Sequence, residues 1–134
     1  MEPDQLWWFR EAHDIPNGVA PGWVSDLVPS GTIIHRVTVQ VGIEPGGKPE
    51  HFAVFVFLTA RAGVVIAEVV REQQIIWFHD KGSDMGYYPM CDDCEIQFPL
   101  RKTVVGSSLR FGIAMLNATN KVASGRVGIL YSQP

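Results

Sequence analysis

Two cysteines bracket two aspartates at Cys91-Asp92-Asp93-Cys94. This is the spacing with which a pair of thiolates grips one metal ion or cycles as a redox couple. A structural zinc centre needs four ligands. There is no second CxxC, so the remaining ligands would have to come from His79 and His51. Redox chemistry of the thioredoxin kind places its CxxC at a helix N-terminus beside a βαβ unit. Here the motif falls in a loop between strand patterns, and its two neighbouring carboxylates disfavour the thiolate. The reading is two thiols, free or locally bridged, in a loop, with no metal and no cofactor.

The other chemistry-bearing residues are equally dispersed. Asp80, Asp84, Asp92, Asp93 and Glu95 crowd one irregular stretch, and oxygen ligands on a loop suit calcium. The DxDxDG spacing is missing, which favours a solvated acidic loop. Nothing singles out one carboxylate pair for glycoside hydrolysis. His13, His35, His51 and His79 show neither HxH nor HExxH spacing. His35 falls on the inward side of a strand pattern and His79 at a strand end, where a hydrogen-bonded structural role is the expectation. No GxSxG, P-loop or GxGxxG occurs. Asn117-Ala118-Thr119 fits a glycosylation acceptor, but no secretory signal is visible, so it reads as a turn. The pattern favours binding or structure over catalysis, with a small β-sandwich enzyme using residues 79–95 as the remaining catalytic reading.

Aromatic residues carry the strongest binding signal. Trp7, Trp8 and Phe9 are contiguous, Trp23 follows, and Tyr87 and Tyr88 stand in the irregular stretch. Trp, Tyr and Phe make efficient interface anchors because each buries roughly 150–250 Å² at low entropic cost. Trp7, Trp8, Phe9 and Trp23 either pack back to seal an open sheet face or anchor in a neighbouring subunit. Tyr87 and Tyr88 suit stacking on a sugar or on a protein partner. These six are the candidate partner-binding residues.

The elements that must position them fall into two parts. Pro3 and Asp4 suit a first helical turn, so residues 1–12 read as a short helix or turn. Residues 13–31 hold Pro16, Asn17, Gly18, Pro21, Gly22, Pro29 and Gly31, a density that forbids a long helix or a central strand. Residues 1–31 therefore read as an extended, aromatic N-terminal arm, and residues 32–134 as a β-sandwich domain. From residue 32 the period is two: Ile33, His35, Val37, Val39, Val41 and Ile43 share one face, interrupted by Ile34. Phe52 to Leu58 is apolar on both faces and reads as a central strand covered on both sides. Val64–Val70, Ile75–His79, Ile96–Leu100, Leu109–Met115 and Val127–Tyr131 follow as strands, the last two as a closing hairpin. No helical period separates them, which excludes βαβ units. The fold expected is all-β, an antiparallel, jelly-roll-like β-sandwich of about seven or eight strands.

Composition narrows the partners. With 134 residues the chain is one domain, large enough to bury a core without a disulfide or a metal. Charged residues make up only 19%, below the average of about 25%. The net charge of −3 is uneven: residues 1–31 carry Glu2, Asp4, Glu11, Asp14 and Asp26 against Arg10 alone. No basic stripe is present, and nucleic-acid binding needs one to neutralise phosphates. No apolar stretch approaches the roughly 18–20 residues of a membrane span. With two cysteines and no visible secretory signal, an intracellular setting is expected.

Residues 32–134, with their Gly-broken strands, and the aromatic arm ahead of them resemble the small β-sandwich or jelly-roll proteins of virus and phage particles. The resemblance is one of pattern, without a diagnostic motif. It implies a non-enzymatic capsid decoration or minor capsid protein that is located in the virion, assembled in the host cytoplasm, and forms a homo-oligomer. The arm would exchange between subunits or clamp another shell protein. A carbohydrate-binding β-sandwich module is the alternative reading.

Overall fold

The structure, a computed structural model, describes residues 4–63, 74–79 and 95–134. Among the described residues, alternating apolar residues fold into eight strands: β1 (Gln5–Ile15), β2 (Gly22–Val28), β3 (Ile33–Ile43), β4 (Phe52–Thr59), β5 (Gln74–His79), β6 (Glu95–Thr103), β7 (Leu109–Asn117) and β8 (Ala123–Ser132). The one helical element among the described residues is a 3-10 turn at Pro49–His51. Two four-stranded sheets form, ordered β1-β8-β3-β6 and β2-β7-β4-β5. All pairings are antiparallel. First strand pairs with last, second with seventh, third with sixth and fourth with fifth. The described strands thus pair as one long hairpin doubled on itself and wrapped into a sandwich, which is the jelly-roll arrangement.

The core fills the space between the sheets. Ile34, Val37, Val39 and Val41 of β3 and Val127 and Ile129 of β8 meet Phe52, Val54, Val56 and Leu58 of β4 and Phe111, Ile113 and Met115 of β7. Every residue of β4 is buried, as its two-sided apolar pattern requires. Its outward residues Ala53, Phe55 and Phe57 join Ala114 in a second apolar cluster on the outer face of that sheet. At one side of the sandwich Trp77 of β5 stacks on Phe98 of β6, ring centroids 4.4 Å apart, and bridges the two sheets.

Three expectations are corrected. Residues 5–15 are a strand, not a helix or turn, and 22–28 are a second strand, so both lie within the strand pattern. Hydrogen bonding to β8 overrides the weak helix-start signal of Pro3 and Asp4, a local preference that tertiary pairing readily outweighs. β7 and β8 do not form a closing hairpin. They lie in different sheets, and residues 118–122 cross from one to the other. In β3 a register shift between Ile34 and Arg36 moves the inward phase, so Ile34 enters the core while His35 is only half-buried. A β-bulge re-aims side chains in this way. The His35 ring is instead held by Ser132 Oγ, 2.8 Å from Nε2. His79 meets its structural expectation: it is fully buried, with Nδ1 3.0 Å from the Phe52 carbonyl.

Asn117, the start of the possible glycosylation acceptor, is fully buried. Its Nδ2 donates to the carbonyls of Ile15 and Lys121, both at 2.8 Å. Its Oδ1 accepts from Thr119 N at 3.0 Å and Thr119 Oγ1 at 2.6 Å. The side chain is consumed in tying the end of β1 to the link between β7 and β8, which fits the turn reading. The expected strand Val64–Val70, the Cys91–Cys94 motif, the acidic residues 80–93, and Tyr87 and Tyr88 lie outside the described residues.

Candidate functional site: the edge built by the first two strands

β1 is an edge strand of one sheet and β2 an edge strand of the other. Together they frame the side of the sandwich opposite the Trp77–Phe98 bridge. β1 pairs with β8 without interruption from Gln5 to Ala12. The period of two sends its four aromatic-region residues to alternate faces. Trp8 turns inward, packs against the core and sits 6.1 Å from the Phe111 ring. Trp7 and Phe9 turn outward and stack on each other, with centroids 4.9 Å apart and planes within 15°. Trp7 is 41% exposed.

Glycine decides where Phe9 lies. Phe9 is directly opposite Gly128, and a Cβ at 128 would overlap the Phe9 ring. The ring therefore lies flat over the β8 backbone, where the Arg126 guanidinium covers it at 4.2 Å from the centroid. On the inner side the Arg10 guanidinium covers Trp8 at 4.7 Å, and its Nη1 donates to the Phe9 carbonyl at 2.6 Å. Both are cation–π arrangements. Past this point Glu11 and His13 form an exposed pair at 3.6 Å.

β2 supplies Trp23, half-buried against the core opposite Ile113. A register shift between Val24 and Leu27 interrupts its ladder with β7. There Ser25 Oγ accepts from Phe111 N at 2.9 Å, and the Ser25 carbonyl accepts from Arg110 Nη1 at 2.9 Å. The bulge leaves a cavity of about 330 Å³ between β1 and β2, lined among others by Trp8, Arg10, Asp26, Phe111, Tyr131 and Gln133. Its mouth thus offers aromatic faces, one cation, one carboxylate and an amide.

The structure brings Trp7, Trp8, Phe9 and Trp23 to one side of the molecule but divides them between roles. Trp8 and Trp23 pack inward, as the self-sealing reading required. Trp7 and Phe9 remain on the outer face of the sheet. Arg10, Arg126, Asp26 and Tyr131 complete the surroundings and were not singled out from sequence. Their signal is positional: Arg126 and Tyr131 matter because β8 lies beside β1, a pairing of chain ends that no local pattern announces. No group of three or more His, Cys, Asp or Glu with metal-binding geometry occurs among the described residues.

No protein-family model matches the chain. No curated protein matches it either. Among solved structures, a chain of the cyanophage Pam1 capsid asymmetric unit is similar at TM-score 0.51 and 17% identity, over 98% of this chain and 86% of that one. A chain from infectious bursal disease virus, Gx strain, is similar at TM-score 0.40 and 8% identity, over 96% of this chain and 32% of that one. A chain of turnip yellow mosaic virus reaches TM-score 0.29 and 9% identity, over 100% of this chain and 83% of that one. The likeness to the Pam1 chain, over most of both chains, shows a shared fold.

Proposed function

We propose that this protein is a non-enzymatic structural component of a virus or phage particle, of the decoration or minor capsid type. In this reading it self-associates and docks on other shell proteins through its N-terminal strands. The observation that carries the reading is the end-to-end match in fold to a chain of the cyanophage Pam1 capsid asymmetric unit. The edge formed by β1 and β2 supports the docking part, because it presents Leu6 and Trp7 at 41% exposure each and Leu27 at 57%. Large apolar side chains grouped on one exposed edge mark contact surfaces. The test is fractionation of particles released from cells expressing this gene. Density-gradient banding followed by immunoblotting is expected to place the protein in the particle band. Recovery only in the particle-free fraction overturns the reading.

A second reading has its own observation. The cavity of about 330 Å³ beside Trp8 and Tyr131 falls in the size range of small-molecule sites, about 300–1,000 Å³. Its Arg10, Asp26 and Gln133 could hydrogen-bond the hydroxyls of a sugar while the rings stack on its apolar face. A glycan array that yields no ligand sensitive to Trp8→Ala removes this reading.

A further inference from the structure

Sheet edges are templates for another strand unless something blunts them. Among the described residues the sandwich has four edge strands: two carry breaks near their middle, a third is short, and β1 pairs without interruption from Gln5 to Ala12, with its ladder shift confined to its end. β6 carries Pro99 in its middle, and an edge proline takes an N–H away from the outward side. β2 is interrupted by its bulge and flanked by Pro21 and Pro29. β5 has six described residues, and short edges pair poorly. β1 runs eleven residues without proline, and among the described residues its one pairing partner is β8. Its first half, Gln5 to Phe9, is uncharged.

We infer that two copies of this protein pair antiparallel through β1 about a two-fold axis at Trp7, joining their first sheets into one eight-stranded sheet. This deepens the self-association in the function proposed above. The partner is a second copy because Gln5–Ala12 of β1 is the uninterrupted edge stretch that another copy can offer, and a two-fold contact closes on itself. The register follows from side-chain phase and charge. Antiparallel neighbours must share a face, so partner numbers sum to an even value. A sum of 14 sets Trp7 against Trp7, Leu6 against Trp8 and Gln5 against Phe9. It also sets Asp4 against Arg10 at both ends, two opposite-charge pairs. A sum of 18 opposes Asp4 to Asp14, and a sum of 20 opposes Arg10 to itself. Registers further along reach Asp14, whose φ of +53° ends the extended backbone there, and the ladder shift between Ala12 and Ile15. The outer face then carries one aromatic ladder across the axis. It runs from Arg126 over Phe9 and Trp7 in one copy to Trp7, Phe9 and Arg126 in the other.

Light scattering on the full chain, from about 1 to 100 μM, reads the outcome. The expected mass is that of two chains. Trp7→Lys is expected to give one chain with an unchanged circular dichroism spectrum. Asp4→Arg alone and Arg10→Asp alone are each expected to weaken the dimer by about tenfold, and the double variant to restore it. A larger even-numbered assembly that Trp7→Lys halves also supports the pairing. A single-chain mass throughout, an oligomer that Trp7→Lys leaves intact, or a double variant that fails to restore association overturns it. The particle test stays independent. A monomer that co-bands with particles defeats the β1 pairing alone, and a dimer that never co-bands defeats the virion reading alone.

Discussion

Phe9 lies across β1 and β8 from Gly128, and its ring fills the volume that a side chain at 128 would need. The same relationship recurs in the second sheet, where Phe57 of β4 lies across from Gly112 of β7. In each case a phenyl ring covers the backbone that glycine leaves bare and recovers the packing a glycine forfeits within a strand. The two rings differ in freedom, since Phe57 is 1% exposed and Phe9 is half-buried near an edge.

That difference sets the cost of a methyl group. Gly112→Ala is expected to lose about 1–3 kcal/mol, because the Phe57 ring is hemmed in and the backbone must shift. Gly128→Ala is expected to lose less, because Phe9 can swing outward. Urea midpoints of the two variants check this. Equal losses would mean that Phe57 relocates as freely as Phe9.

Asn117 makes a second prediction. Replacing it by alanine strips the carbonyls of Ile15 and Lys121 of a donor and Thr119 of its acceptor, inside a buried junction. The expected loss is about 2–3 kcal/mol, measured by chemical denaturation. With this side chain fully buried, the folded chain is also expected to resist glycosylation at position 117. A mass shift on exposure to a glycosylating extract would contradict that burial.

The fold class and most of the central strands were legible from period-two alternation, clearest at Val37, Val39 and Val41 and at Phe111, Ile113 and Met115. What failed was the N-terminal segment. Leu6, Trp7, Trp8 and Phe9 are apolar on both faces because β1 packs inward through Trp8 and holds Trp7 and Phe9 outward, so no alternation marks the strand. Its partner β8 lies at the other end of the chain, and pairing over such a separation leaves no local trace. The phase of β3 was misread at His35 for a related reason: a bulge is one residue of slip, invisible to a count of alternate positions. Of the candidate edge, Trp7, Trp8, Phe9 and Trp23 stand out in the sequence by residue type, whereas Arg10, Arg126 and Tyr131 acquire meaning only from neighbouring strands.

The two sides of the sandwich are expected to respond unequally to truncation. Trp77 is 8% exposed and stacked on Phe98, so Trp77→Ala is expected to cost about 3–5 kcal/mol. Trp8 borders a cavity and is only half-buried. Its removal enlarges space that is already open, and the expected cost is less than half as large. Thermal unfolding of both variants decides the point.

Removing residues 1–31 tests whether the first two strands are separable from the body. They hold Ile15 and Val28 in the core and pack Trp8 and Trp23 against it. Their loss would turn β8 and β7 into new edges and leave Phe111 and Ile113 without cover on one side. The expected result is a chain that fails to form the sandwich, seen as lost near-ultraviolet dichroism and strong binding of a hydrophobic dye. A folded, soluble product would instead mean that β3 to β8 close by themselves. The first thirty-one residues would then be free to serve a neighbouring subunit, and the division of the chain at residue 32 would be a true domain boundary.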